Sequence, residues 1–301
     1  MNNHSHLTIK LAVMILAHKN LGQLLRLAKS LEHKNIDIFI HLDKKWKLSE
    51  LEIDQIKKLD SNHVQICEKR ISSFLDKWSL VEASMEIIRK VKEIENKKKI
   101  KYQYFALLSG QDYPIKSMDF LINLLSLNYP KPYIDCTPFH KKNWLRRKFK
   151  TLPIENDIQL WFRNHMKPGI LRNIIKLPIF ICLEMLKIFI PTPYKKLTKL
   201  NFGLYGGSAW WILPDIAINE IYLQFFNSND IVVKILSKTF TPEETFFQIM
   251  TMQSEAAPLV EINPVMETKQ NCLIYTHFND LGKPFIGHPY ILEVCDIEKL
   301  K

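Results

Sequence analysis

The stretch "IKLAVMILAHKNLGQLLRLAKSLEHKNIDIFIHLDKK", residues 9–45, sets two apolar runs on either side of an amphipathic one. Residues 9–17 are almost continuously apolar, as in a strand buried on both faces. Residues 20–33 put Leu21, Leu24, Leu25, Leu27 and Leu31 on one helical face. "IDIFIHLD" (36–43) is β-rich and ends in an aspartate. Strand, helix, strand predicts a βαβ unit. The alternation continues with a helix over 49–59, a short strand over 63–67 and a helix over 78–95. A strand over 102–110, a turn and a helix over 117–127 follow. This order predicts an α/β fold around a mostly parallel sheet. Such sheets bind ligands at the carboxyl ends of their strands. Those ends carry Ala17-His18, Asp43 and Ser109-Gly110-Gln111-Asp112. No internal repeat is evident.

Composition narrows the class. The chain has 301 residues, 47% of them hydrophobic, which is enough to bury one large core or two modest ones. An aromatic content of 11% with only eight glycines excludes a disordered or low-complexity chain. Five cysteines, odd in number and never closely spaced, exclude a zinc ribbon and disfavour a disulfide scaffold, so a reducing compartment is expected. The apolar run from Leu11 to Ala17 has no basic leader and no cleavage site, and seven residues cannot span a bilayer. A buried first strand is expected there. Walker, Gly-x-Gly-x-x-Gly and His-Glu-x-x-His motifs are absent, and so is an Asp-x-Asp pair for a divalent ion.

The charge is local. Residues 141–200 hold 14 Lys/Arg against Glu155, Asp157 and Glu184, a balance of +11 that equals the net charge of the whole chain. An anionic partner is expected for this segment. Within it, "HKKNWLRRKFK" (140–150) is a basic aromatic patch. It is the only feature that suits nucleic acid, and no nucleic-acid-binding fold accompanies it, so no nucleic-acid partner is expected. Residues 170–190 are strongly apolar but interrupted by Arg172, Lys176, Pro178, Glu184 and Lys187. An interfacial or protein-covered helix fits them better than a spanning one.

Farther on, "FGLYGGSAWWILP" (202–214) reads as a glycine turn and an aromatic strand. "TFTPEETFFQIM" (239–250) follows it. Thr241, Pro242 and Glu244 have the spacing of a capping box at a helix start. Two carboxylates beside paired phenylalanines also suit a buried catalytic base, so for Glu244 both roles stay open at this level. Asp43 is likewise either a turn residue or an acceptor for a ligand's base or sugar.

Taken in order, "MILAHKNLGQLLRL", "FIHLDKK", "FLDKWSLVEASMEII", "YFALLSGQDYPIKS", "GLYGGSAWWIL" and "FTPEETFFQIM" resemble the core-2/I-branching enzymes. These are β-1,6-N-acetylglucosaminyltransferases, grouped with the peptide O-xylosyltransferases in glycosyltransferase family 14. "EETFF" leans towards the xylosyltransferase-like and bacterial branch. The resemblance implies a GT-A-like, Rossmann-type fold, a UDP-sugar donor, inversion at the anomeric carbon and no metal or other cofactor. By position it implies uridine against Ile15, Leu16 and Ala17, with Asp43 on the nucleoside. Ser73, Phe74 and Leu75 would line the nucleotide site, although the Trp-Gly-Gly often found there is missing. Ala209 and Trp210 fall where xylosyltransferases place an Asp-Trp pair near the donor sugar. Trp144 and Arg146 fall among the acceptor contacts. Glu244 matches the family's catalytic base, and an apolar setting from Phe246 and Phe247 is expected to raise its pKa. Glu243 is left a supporting or solvated place.

The resemblance also implies cations late in the chain for the leaving diphosphate. The sequence ends about where the family's "ARKF"-like stretch would begin, which leaves Lys269, Lys283 and His288 as substitutes. One glycosyltransferase domain over 1–301 is expected: a nucleotide-sugar-binding half (1–140), a basic apolar helical segment (141–200) and an acceptor and catalytic part (201–301). The donor sugar expected is N-acetylglucosamine, with UDP-xylose as the alternative and an impaired glycan-binding homologue as the second. The Lys/Ile/Asn-rich composition points to a cytoplasmic, bacterial enzyme of polysaccharide or lipooligosaccharide synthesis. Residues 141–200 would then rest on an anionic membrane face, near a glycan or lipid-linked glycan acceptor.

Overall fold

The computed structural model describes residues 9–59, 61, 63–139, 145–263 and 272–274. The chain opens as the sequence predicts: β1 (Leu11–Ala17), α1 (Leu21–Ser30), β2 (Ile36–Leu42), α2 (Glu50–Leu59), β3 (Val64–Ile66), α3 (Ser79–Lys98), β4 (Tyr104–Ser109) and α4 (Met118–Asn128). Two short strands follow, β5 (Tyr133–Ile134) and β6 (Thr137–Pro138). The basic segment then folds as α5 (Leu145–Lys150), α6 (Pro153–His165), α7 (Ile170–Phe189) and α8 (Pro193–Lys199). β7 (Tyr205–Gly206), β8 (Trp211–Pro214), α9 (Asp215–Phe226), α10 (Ile231–Leu236) and α11 (Phe246–Thr251) complete the described elements.

Six strands form one sheet in the order β3-β2-β1-β4-β8-β5. The first four are parallel, while β8 runs antiparallel to both β4 and β5. The sheet is therefore mixed, and β8 enters it from beyond the basic segment. The chain leaves β1 towards β2 on one side and returns to β4 on the other, which makes the β1/β4 carboxyl edge a topological switch point.

Alternation along the strands divides the core into two layers. Met14, Leu16, Phe39, Phe105 and Leu107 pack on the side of α3, α9 and α11. Val13, Ile15, Ile38 and Ile40 pack with Leu24 and Leu27 of α1 and with Ile122 and Leu125 of α4. Both faces of β1 and β2 are covered, so every residue of the two strands is buried. The amino edge is closed by one carboxylate. Asp37 accepts from Lys10, from His63 Nδ1 at 2.7 Å and from the Tyr102 hydroxyl at 2.5 Å, tying together the entries to all four parallel strands. Burial opposes its ionisation, but these bonds, Lys10 foremost, hold it below the usual carboxylate range. The polar groups at the carboxyl edge are left for other work.

The helix start at 239–250 differs from its sequence reading. Thr241 sits in the left-handed region at φ 47° and makes no capping bond, its hydroxyl turning to the Phe240 carbonyl. Residues Pro242–Glu244 form a single 3₁₀ turn, and α11 begins only at Phe246. The capping box does not form: Thr241 stands outside the helix, and the Glu244 carboxylate pairs with a distant cation instead of the Thr241 N–H.

Candidate functional site

Four strand ends deliver the residues at the carboxyl edge. Gly110, just past β4, donates its N–H to the Leu16 carbonyl at 2.9 Å, and a Cβ placed on it would stand 3.0 Å from the Ala17 Cβ. The backbones of β1 and β4 thus close together at the switch point. Ile15 and Ala17 are buried in one layer of the core and Leu16 in the other, so their side chains are taken up by packing and their backbone is what they offer at this edge. Asp112, beside it, accepts from Ser109 N–H at 2.8 Å, and burial pushes its carboxyl up to about 6.

Asp43 follows β2 and is 5% exposed. Its carboxylate accepts from Lys45 N–H at 2.7 Å and from Ser73 N–H at 3.1 Å. It therefore clamps the loop after β3 against the end of β2. Arg70 reinforces the clamp by donating to the carbonyls of Leu42, Asp43 and Trp46 at 3.2, 2.7 and 2.6 Å. His41 accepts from Ile71 N–H at 2.9 Å, and burial pushes its pKa down to about 4, so at neutral pH it is an uncharged acceptor. Phe74 and Leu75 stand exposed at the tip, with the Lys45 ammonium 4.0 Å from the Phe74 ring centre.

The loop then reaches the 3₁₀ turn. Asp76, at φ 64°, donates its N–H to Glu243 Oε1 at 3.3 Å. Glu243 Oε2 is buried without a hydrogen-bond partner among the described residues. Burial pushes the Glu243 carboxyl up to about 7, and the neighbouring Glu244 carboxylate adds to the rise. Glu244 is different. It meets Lys148 of α5 at 2.5 Å and leaves 37% of its side chain exposed, while Lys148 is buried to 4%. Its carbonyl accepts from Gly207 N–H at 2.9 Å, so the turn is tied to the segment that leads into β8. Gly207 itself admits no side chain, because a Cβ there would lie 1.9 Å from the Asp135 carbonyl oxygen. Gln248 of α11 donates to the Ser208 carbonyl at 2.7 Å and holds the next residue of the same segment. Ala209 and Trp210 are half-buried and precede β8, at the edge where β4 ends.

The structure thus brings Ala17, Asp43, Ser73, Ala209, Trp210 and Glu244 to one edge of the sheet. It corrects three details. Burial falls on Glu243 rather than on Glu244, whose side chain is 37% exposed, and Phe246 and Phe247 are sealed in the core. Glu243 is accordingly not solvated. Two members of the basic aromatic patch also point inward: Phe149 is fully buried and Lys148 holds Glu244. The Lys148–Glu244 pair escaped the sequence because 96 residues separate its members and Lys148 is one of a run of cations. Trp144 and the side chain of Arg146 lie outside the described residues, as do Lys269, Lys283 and His288.

A GT-A-like α/β fold with a carboxylate-lined edge at its switch point defines the class. Within it, the chain belongs to the Core-2/I-Branching enzyme family, a glycosyltransferase family whose model matches residues 11–276. Over 274 residues it is 24% identical to xylosyltransferase 1 of Homo sapiens, covering 87% of this chain and 24% of that protein. Over 272 residues it is 26% identical to xylosyltransferase 2 of Homo sapiens, covering 87% and 27% respectively. The chain therefore spans about a quarter of the length of the curated relatives it matches.

Proposed function

We propose that this chain is an inverting glycosyltransferase that moves a sugar from a UDP-sugar to an acceptor hydroxyl, with Glu244 as general base. The observation that carries the reading is the meeting of Glu244, the Gly207–Trp210 segment and the Asp43-clamped loop at one switch-point edge. Nucleotide recognition falls to the strand ends: Ile15, Leu16 and Ala17 by their backbone, Asp43 by its carboxylate, and Ser73, Phe74 and Leu75 as the wall. One oxygen of Asp43 accepts from Lys45 N–H and the other from Ser73 N–H, and each keeps a lone pair for a ligand. Ala209 and Trp210 lie where the donor sugar would sit. The acceptor proton passes to the Glu244 carboxylate as the acceptor oxygen bonds to C1, and the bond from C1 to the UDP oxygen breaks on the opposite face. Lys148 fixes the carboxylate before the substrate arrives.

The leaving diphosphate needs positive charge. We assign this to side chains rather than a metal, as the family resemblance implies and the lack of an Asp-x-Asp agrees with, and Lys269, Lys283 and His288 are the candidates. Chelating divalent ions should then leave transfer unchanged. The branching-enzyme resemblance favours N-acetylglucosamine in a β-1,6 linkage to a glycan, and the composition with the basic apolar segment 141–200 favours a lipid-linked acceptor at the cytoplasmic membrane face. The names of the relatives favour xylose, and a serine acceptor would go with it. Release of UDP from UDP-N-acetylglucosamine and from UDP-xylose, measured separately, decides between the two. Glu244→Gln tests the base. It should leave UDP binding within about twofold and lower transfer by about 10³-fold, and transfer near the parent rate would refute the assignment. A chain that fails to bind UDP at all would be a non-catalytic glycan-binding homologue.

A further inference from the structure

α7 wears its polarity inside out. Ile174, Leu177, Ile181, Met185 and Ile188 are each more than half exposed along it, and Ile170 and Phe189 at its two ends are 81% exposed. Only Leu183 is buried. The cations that interrupt the apolar sequence turn towards the protein instead. Arg172 donates to the Met166 carbonyl at 3.2 Å, Lys176 lies 5.2 Å from the Phe162 ring centre, and Lys187 pairs with Glu155 at 2.9 Å. A surface helix ordinarily does the reverse. A contiguous apolar ridge of this kind marks an interaction surface.

Charge decides what covers the ridge. Exposed Lys167 precedes α7, and exposed Lys195, Lys196 and Lys199 follow it on α8. A second copy docking ridge to ridge would bring two segments of +11 together, and like charges oppose that contact. An anionic bilayer offers acyl chains to the ridge and negative headgroups to the lysines. No described helix is long and apolar enough to cross a membrane, so a helix of 20 residues, about 30 Å long, would lie along the surface. We propose that α7 is a docking helix that rests in the interface of an anionic lipid bilayer. Attraction to the surface comes from the flanking lysines, and retention comes from the ridge.

Co-sedimentation of the purified chain with phosphatidylcholine vesicles, with and without phosphatidylglycerol, tests this. A triple variant, Ile174→Gln, Ile181→Gln and Ile188→Gln, removes the ridge without changing the charge or exposing any core. The parent should bind the anionic vesicles, weaken with salt and bind neutral vesicles poorly, while the variant loses about tenfold or more in affinity with an unchanged melting curve. Equal binding by both proteins, or no binding by the parent, overturns the proposal. So does a lipid-free dimer that the variant abolishes, because the ridge would then belong to a second copy. The readout uses no sugar donor, so its failure leaves the glycosyltransferase reading untouched.

Discussion

Glu243 and Glu244 are neighbours in sequence and opposites in environment. Glu243 is sealed beneath the loop at Asp76, whereas Glu244 is half-exposed and bound to Lys148. Sequence named the pair and chose Glu244 for the chemistry, but it left Glu243 either a supporting or a solvated place, and burial excludes the second. The sequence left it open for a simple reason: in a 3₁₀ turn adjacent side chains diverge, and no local rule says which will face the core. The consequence is measurable. A carboxyl whose folded pKa stands near 7, against an ordinary glutamate value of 4.5, favours the fold at low pH, and this contribution is lost as pH rises from about 4.5 to about 7. His41, pushed down to about 4, has the opposite sign, its contribution being present above about 6.5 and lost as pH falls. Glu243→Gln removes the first and leaves the second. The melting temperature of the variant minus that of the parent should therefore climb across pH 4.5–7, by about 5 °C for about 3 kcal/mol. A flat difference would mean that Glu243 does not titrate in that window.

At the scale of elements, the parallel strands and their helices were legible because each carries its own pattern. β1 and β2 are apolar throughout, α1 repeats leucine at helical spacing, and Ser117 caps α4 by accepting from Phe120 N–H at 3.2 Å. The strands β5, β6 and β7 have two residues each, too few to show any period. They exist because Asp135, Gly207 and their neighbours are held by long-range contacts. Gly207→Ala probes that arrangement directly. The added Cβ would press on backbone at Asp135, which cannot rotate aside as a side chain can. The cost should be about 3 kcal/mol, or about 5 °C in melting temperature. Loss of transfer should accompany it, since the Gly207 N–H bonds to the carbonyl of Glu244. A variant as stable as its parent would show that the segment can shift without harm.

For the whole molecule, the two edges of the sheet divide the labour. Asp37 satisfies the amino edge from within, while the carboxyl edge gathers Asp43, Asp112, Glu243 and Glu244. If UDP enters there, hydrogen exchange should slow several-fold at 17–20, 43–46, 70–77 and 207–210, and stay unchanged at 33–37 and 100–104. Protection at the amino edge instead would move the nucleotide site. The sequence by itself determined the α/β class, the positions of the strand ends and the order of the family's motifs, because periodicity and short motifs are local. Only the tertiary structure decided that β8 inserts antiparallel beside β4, that Lys148 holds Glu244, and that the apolar side of α7 faces outward. These depend on which surfaces meet across long stretches of chain, or on which side of a helix the rest of the protein covers. The net balance of burial and charge settles such choices, and no window of sequence contains it.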